Sequence, residues 1–161
     1  MGAQQIILIL GSLLLLTIFS LNFYSAYGDK TKIDLHNQAL ITGTGIGQSI
    51  IDEIQTRAFD QETVDKPITS TDSLTAISSL GPDGGEPSAN RFNDVDDYKN
   101  YIRYDTLHVL GIFKTVVDVC YANKMNPEVN AGGRTFTKRI DVEITNRYLQ
   151  DTLKLKHVIA Y

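Results

Sequence analysis

The pattern of apolar and polar positions divides the chain near residue 28. From Ile6 to Phe23 only Gly11, Ser12, Thr17, Ser20 and Asn22 interrupt the apolar run, and no Asp, Glu, Lys or Arg precedes Asp29. An α-helix rising about 1.5 Å per residue covers roughly 27 Å over that run, enough to cross the hydrocarbon core of a bilayer. Its hydroxyls can bond back to helix carbonyls, and Gly11 and Ser12 let a second helix approach closely, so packing against other helices is predicted as well as contact with lipid. The run exceeds a signal-peptide core of about 7 to 15 residues and no cation precedes it, which favours a retained helix over a cleaved leader. Tyr24 and Tyr27 stand where an interfacial aromatic belt would, and Lys30 and Lys32 flank the run on its C-terminal side.

After residue 28 the period changes. Leu40, Ile46, Ile50, Ile51, Ile54 and Ala58 recur near helical spacing, with Asp52, Glu53, Gln55 and Arg57 between them, which predicts an amphipathic helix over residues 32–58. Gly43, Gly45 and Gly47 do not read as a nucleotide loop, since no β-branched strand precedes them and no lysine follows; they fit a close helix contact, at about 1 kcal/mol each in helix propensity, and mark where the helix would soften. Residues 60–108 lose all period, and turn chemistry such as Leu80-Gly-Pro-Asp-Gly-Gly-Glu-Pro-Ser88 predicts a long loop. Beyond it, Ile112–Tyr121, Phe136–Thr145 and Thr152–Tyr161 are β-branched and alternating, predicting a three-stranded meander over 109–161. Pairing Glu143 with Lys154 and Asp141 with Lys156 sets the last two strands in register and faces Ile144 with Leu153, Val142 with Leu155 and Ile140 with His157. A sheet apolar on one face needs a cover, and the amphipathic helix is the long apolar stripe available. The predicted fold class is therefore α+β: a long N-terminal helix, membrane half then amphipathic half, packed on a small antiparallel β-sheet.

Composition narrows the chemistry. The 161 residues include 15 Lys and Arg against 19 Asp and Glu, a net charge of -4, which gives no basic footprint for nucleic acid. A single cysteine, Cys120, makes no intrachain disulfide. His36, His108 and His157 lack ligand spacing, and no nucleophile–base pair can be assembled, so no enzyme activity and no cofactor are expected. One stretch, Arg91-Phe-Asn-Asp-Val-Asp-Asp-Tyr98, leaves two readings open. Asp94, Asp96 and Asp97 could gather around Ca²⁺, although the glycine and closing glutamate of an EF-hand are absent. Alternatively, Asx hydrogen bonds pin the segment while Phe92, Val95, Tyr98 and Tyr101 pack on the core.

The order of parts resembles the type IV pilins and the pseudopilins of type II secretion. Ile46-Gly-Gln-Ser-Ile-Ile-Asp-Glu-Ile-Gln55 followed by Ala58-Phe-Asp60, Leu80-Gly-Pro-Asp-Gly-Gly-Glu86, Phe92-Asn-Asp-Val-Asp-Asp-Tyr98 and Lys138-Arg-Ile-Asp-Val-Glu-Ile-Thr145 resemble minor and mannose-sensitive-hemagglutinin-type pilins. The chain departs from that pattern at its start: with Gly2 as the last leader residue, Ile7 stands where the family has its fifth-position glutamate, and no Glu occurs before Glu53. The resemblance implies a non-catalytic filament or pseudopilus subunit with residues 1–28 as a transmembrane and assembly helix and 29–161 as a periplasmic or extracellular domain. Gln5, Ile6, Ile7, Leu8, Leu10, Leu13, Leu14, Leu16, Phe19 and Phe23 would form the assembly surface. Partners would be further copies, other pilin-like subunits, the bacterial inner membrane and its assembly machinery. The alternative is a single-pass membrane-anchored binding module, whose helix only tethers the domain.

Overall fold

A computed structural model describes residues 2–161. The architecture is α+β: one long helix, α1 (Ala3–Gln55), and a four-stranded antiparallel sheet, β1 (Tyr101–Leu107), β2 (Gly111–Tyr121), β3 (Thr137–Thr145) and β4 (Leu153–Ala160), in the order β1-β2-β3-β4. The chain divides into two compact units, residues 1–38 and residues 39–161.

In the first unit α1 is an apolar helix with no buried side chain from Ala3 to Phe19. Ser12 donates to the Ile9 carbonyl and Thr17 to the Leu13 carbonyl, each at 2.8 Å, so these hydroxyls are satisfied within the helix. The Phe23 ring lies 6.5 Å from both Tyr24 and Tyr27, edge-on to the first and stacked with the second.

In the second unit the C-terminal part of α1 covers one face of the sheet. Its buried residues are Ala39, Gly43, Gly47, Ile50, Ile51 and Ile54, whereas Leu40 is exposed. Small residues thus make half of the contact stripe. A Cβ on Gly43 would lie 3.3 Å from Leu153 Cδ2, and one on Gly47 would lie 2.8 Å from Ile144 Cδ1 and closer still to Leu155. α1 runs through all three glycines without softening and stops at Gln55, short of the expected Ala58, which instead bridges to Asp94.

The β3–β4 register pairs Glu143 with Lys154, Asp141 with Lys156, Ile144 with Leu153, Val142 with Leu155 and Ile140 with His157, as the charge pattern predicts. Phe113, Val117, Val119, Ile140, Val142 and Ile144 are fully buried, and Phe113 and Ile144 lie against the glycines of α1. The outer face carries ion pairs: Lys154 to Glu143 at 2.6 Å, Arg139 to Asp141 at 2.8 Å and Lys99 to Asp118 at 2.9 Å.

The expected loop over 60–108 needs correction, since Tyr101–Leu107 within it form β1. The strand pairs with β2 from Tyr101↔Val117 to Leu107↔Gly111, and Gly111, at φ 75°, closes the turn between them. Residues 56–100 are otherwise a chain of short 3₁₀ turns stitched to the core. The Ala58 N–H donates to the Asn93 carbonyl at 3.1 Å, and the Val95 N–H to the Ala58 carbonyl at 3.0 Å.

Candidate functional site

Two places merit a functional reading: the apolar surface of residues 3–28, and a charged cluster inside the second unit.

On the helix, Ile6, Ile7, Leu8, Leu10, Leu13, Leu14, Leu16, Phe19 and Phe23 are all exposed, from 49% for Ile6 to 72% for Leu8. Gln5 is exposed too and accepts a hydrogen bond from the Gly2 N–H at 3.3 Å. Exposing a single Leu or Ile to water forgoes about 1.5–3 kcal/mol relative to burial, so nine large apolar side chains forgo on the order of 20 kcal/mol. That surface is stable only against lipid or other apolar helices. The helix is long and apolar enough to cross a membrane.

The second place is assembled from distant segments. Lys138 lies on β3 among Ile140, Val142 and Ile144, and the strand's period of two turns it toward the core with them. Its side chain is fully buried. The ammonium Nζ donates to the Phe59 carbonyl at 2.7 Å, to Asp60 Oδ2 at 2.9 Å and to Asp96 Oδ1 at 2.6 Å. It also lies 4.8 Å from the centre of the Phe59 ring and 5.3 Å from that of Tyr121, so aromatic faces complete its surroundings.

Asp60 and Asp96 are held in opposite ways. Asp60 receives the Tyr121 hydroxyl at 2.9 Å, the Thr75 hydroxyl at 2.9 Å and the Thr75 N–H at 3.1 Å. Burial alone would raise its carboxyl, but the Lys138 charge and these donors outweigh burial and hold it below the usual range. Asp96 has Lys138 but no such set of donors, and burial, with the Asp60 charge adding to it, pushes its carboxyl up. Asp94, also buried, is pushed up to about 9 by burial and then by the charges of Asp96 and Asp97, so it is neutral at pH 7.

The three aspartates read from the sequence as a calcium candidate are therefore neighbours with separate partners. Asp97 Oδ2 accepts the N–H groups of Asn93 and Asp94 at 2.9 and 3.1 Å, and Asp94 Oδ1 accepts the Asp97 N–H at 3.1 Å. Asp96 faces Lys138. Among the described residues, no group of three or more His, Cys, Asp or Glu side chains is placed to hold a metal ion. The aromatic side chains of the same segment pack together, with Tyr98 edge-on to Phe92 at 4.9 Å and to Tyr101 at 5.6 Å. The Tyr98 hydroxyl donates to Glu53 on α1 at 2.7 Å, and burial with that bond pushes it up to about 12.

A groove of about 490 Å³ on the outer face of the sheet is lined by Asn100, Val116, Asp118, Asp141, Glu143, Lys154 and Lys156, whose carboxylates each have a cation of their own. Cys120 on that face is half-buried and within 3.4 Å of Asn130 Oδ1, and burial pushes its thiol up, away from the reactive thiolate.

The buried set of Asp60, Asp96 and Lys138 was missed by the sequence reading. One signal for it existed: Lys138 interrupts the inward positions of an otherwise apolar strand face. No family model matches the chain, and neither does any curated protein nor any solved structure, so the function has to be read from the chain's own geometry.

Proposed function

We propose that the protein is a non-catalytic, membrane-anchored subunit of a type IV pilus-like filament or a type II secretion pseudopilus. The observation that carries the proposal is the charge-free helix of residues 3–28, all of whose large apolar side chains are exposed. Before assembly it spans the bacterial inner membrane once, with residues 29–161 outside the cytoplasm. In the assembled filament, the same side chains exchange lipid for the helices of neighbouring subunits. Because lipid tails are as apolar as leucine, close packing drives that exchange, and Gly11, whose Cβ position is open, provides a point of close approach. The α+β unit that follows, one amphipathic stretch of helix under an antiparallel sheet, fits the pilin resemblance in its order of parts.

The test is assembly. The purified protein without detergent should form filaments visible by negative-stain electron microscopy. Leu14→Lys, which places a charge at the centre of the apolar run at a cost of about 2.5–3.5 kcal/mol, should abolish them. Deleting residues 1–28 separates the proposal from an anchored binding module. The module keeps its ligand binding without the helix, whereas a filament subunit loses its activity.

A further inference from the structure

We propose that Lys138 and Asp96 condense into an intrachain amide, a covalent cross-link between β3 and the 92–98 segment, with Asp60 as the base that relays the protons of Lys138.

The geometry supplies what such a condensation needs. Nζ and Asp96 Oδ1 are 2.6 Å apart, which puts the amine nitrogen beside the Asp96 carboxyl carbon at the start of the reaction. Both side chains are almost completely enclosed, at 0% and 3% exposure, so water neither screens the pair nor competes as nucleophile. Asp60 Oδ2, on the same nitrogen at 2.9 Å, is a fixed second carboxylate within proton-transfer reach. The two carboxyls differ as the roles require. Asp60, with its several donors, remains the ionised base, while burial favours the neutral, electrophilic acid at Asp96.

The step balances without any further reagent. The ammonium passes one proton to Asp60, and that proton goes on to the Asp96 carboxylate. The free amine attacks Asp96 Cγ, forming the N–C bond. A second nitrogen proton travels through Asp60 to one Asp96 oxygen, the Cγ–O bond breaks, and one water leaves. The ion pair becomes a neutral amide and nothing is oxidised or reduced. The product keeps its surroundings satisfied, because the remaining N–H can still donate to the Phe59 carbonyl, now 2.7 Å from Nζ, and Asp60 keeps the Tyr121 hydroxyl. Two buried charges disappear from a site where each is costly to desolvate.

The experiment is a tryptic peptide map of the purified full chain in detergent, read by tandem mass spectrometry. Acylation of Lys138 blocks cleavage after it, so the expected product joins Phe92–Lys99 to Thr135–Arg139 with a loss of about 18 Da, one water. Lys138→Arg, which cannot be acylated this way, should give only linear peptides. Asp60→Asn, with its fold checked by circular dichroism, should slow accumulation of the linked species at least about 100-fold, the usual range for removing a general base. Linear peptides alone from the wild-type chain would overturn the proposal, and that result depends on no variant folding. Lys138 joined instead to the Ala58–Arg91 peptide, which holds Asp60 and stays whole because Pro67 follows Lys66, would overturn the assignment of Asp96 as the acyl donor. Unchanged linking in folded Asp60→Asn would overturn the role of Asp60.

Discussion

Gly45→Ala and Gly47→Ala make the same chemical change two residues apart on one helix, and opposite outcomes are expected. Each replaces glycine by the best helix former, a gain of about 1 kcal/mol in an exposed helix interior. At Gly45 the gain stands alone, because a Cβ there meets no atom within 4 Å. At Gly47 the methyl would lie 2.8 Å from Ile144 Cδ1 and closer to Leu155 Cδ1, inside the van der Waals contact of two carbons. Ile144 is fully buried, so it can retreat only by displacing neighbours. Overpacking of this kind costs about 1–3 kcal/mol. The net for Gly47→Ala lies between about zero and a loss of 2 kcal/mol, and the gap between the two variants is about 1–3 kcal/mol. Thermal melting of a fragment spanning residues 29–161, followed by circular dichroism, should place Gly45→Ala roughly 3–5 °C above the parent. Gly47→Ala should melt at or below the parent. If Gly47→Ala melts as high as Gly45→Ala, helix and sheet are not as close as the geometry requires, and the account of the glycine stripe fails.

Other consequences can be checked on the same fragment. Asp94 is pushed up to about 9 from 3.8, so the folded state holds a proton that the unfolded chain releases. Its contribution is complete below about pH 4 and is lost as pH rises through about 9, with a slope of at most about 1.4 kcal/mol per pH unit. Asp94→Asn, which keeps a donor without the titration, should flatten that decline in urea midpoints measured from pH 5 to 9. Asp60 acts in the opposite direction: its carboxyl is held low, so its contribution is present above the usual carboxylate range and is lost in acid, and Asp60→Asn should reduce the loss of stability below about pH 4. Lys138→Met leaves Asp60 and Asp96 buried without their cation and should cost about 3–5 kcal/mol, read as a drop in the urea midpoint at constant m-value. Lys154→Ala breaks an exposed pair with Glu143 and should leave the urea midpoint essentially unchanged, at low salt as at high.

What the sequence made legible follows from which interactions are local. The β3–β4 hairpin was readable to the residue, because a short turn brings opposite charges and apolar side chains into a register that only one alignment satisfies. The apolar helix was readable because its signal is simple composition. β1 was not, although Tyr101, Ile102, Tyr104 and Thr106 are good strand residues. The strand is short, forms a sheet edge and is no more than half-buried, at alternate positions, so its alternation is weak beside the turn-rich stretch before it. The contact stripe of α1 is legible in part: Ile50, Ile51 and Ile54 are buried as the period predicts and Gly43 and Gly47 make the close contact their size suggests, but Leu40 turns outward and Ala39 takes the inward place.

The buried ionic set was the least legible part, and its sequence separations show why. Lys138 meets Asp96 across 42 positions and Asp60 across 78, with Tyr121 reaching Asp60 from a third segment, 61 positions away. No periodicity connects such residues; only the finished fold does. A set of charges this deep is also poor material for stability alone, since apolar residues of the same volume would often serve as well or better. The condensation inferred above offsets part of that cost: it removes the Lys138 and Asp96 charges, leaves Asp60 ionised against the Tyr121 and Thr75 donors, and ties β3 covalently to the 92–98 segment. In the chain-entropy account of cross-links, a loop of about 40 residues closed this way is worth roughly 4 kcal/mol, provided native geometry is not strained. In a linked wild-type chain the urea midpoint should exceed that of folded Lys138→Arg, which keeps a cation beside Asp60 and Asp96 but cannot be joined to either.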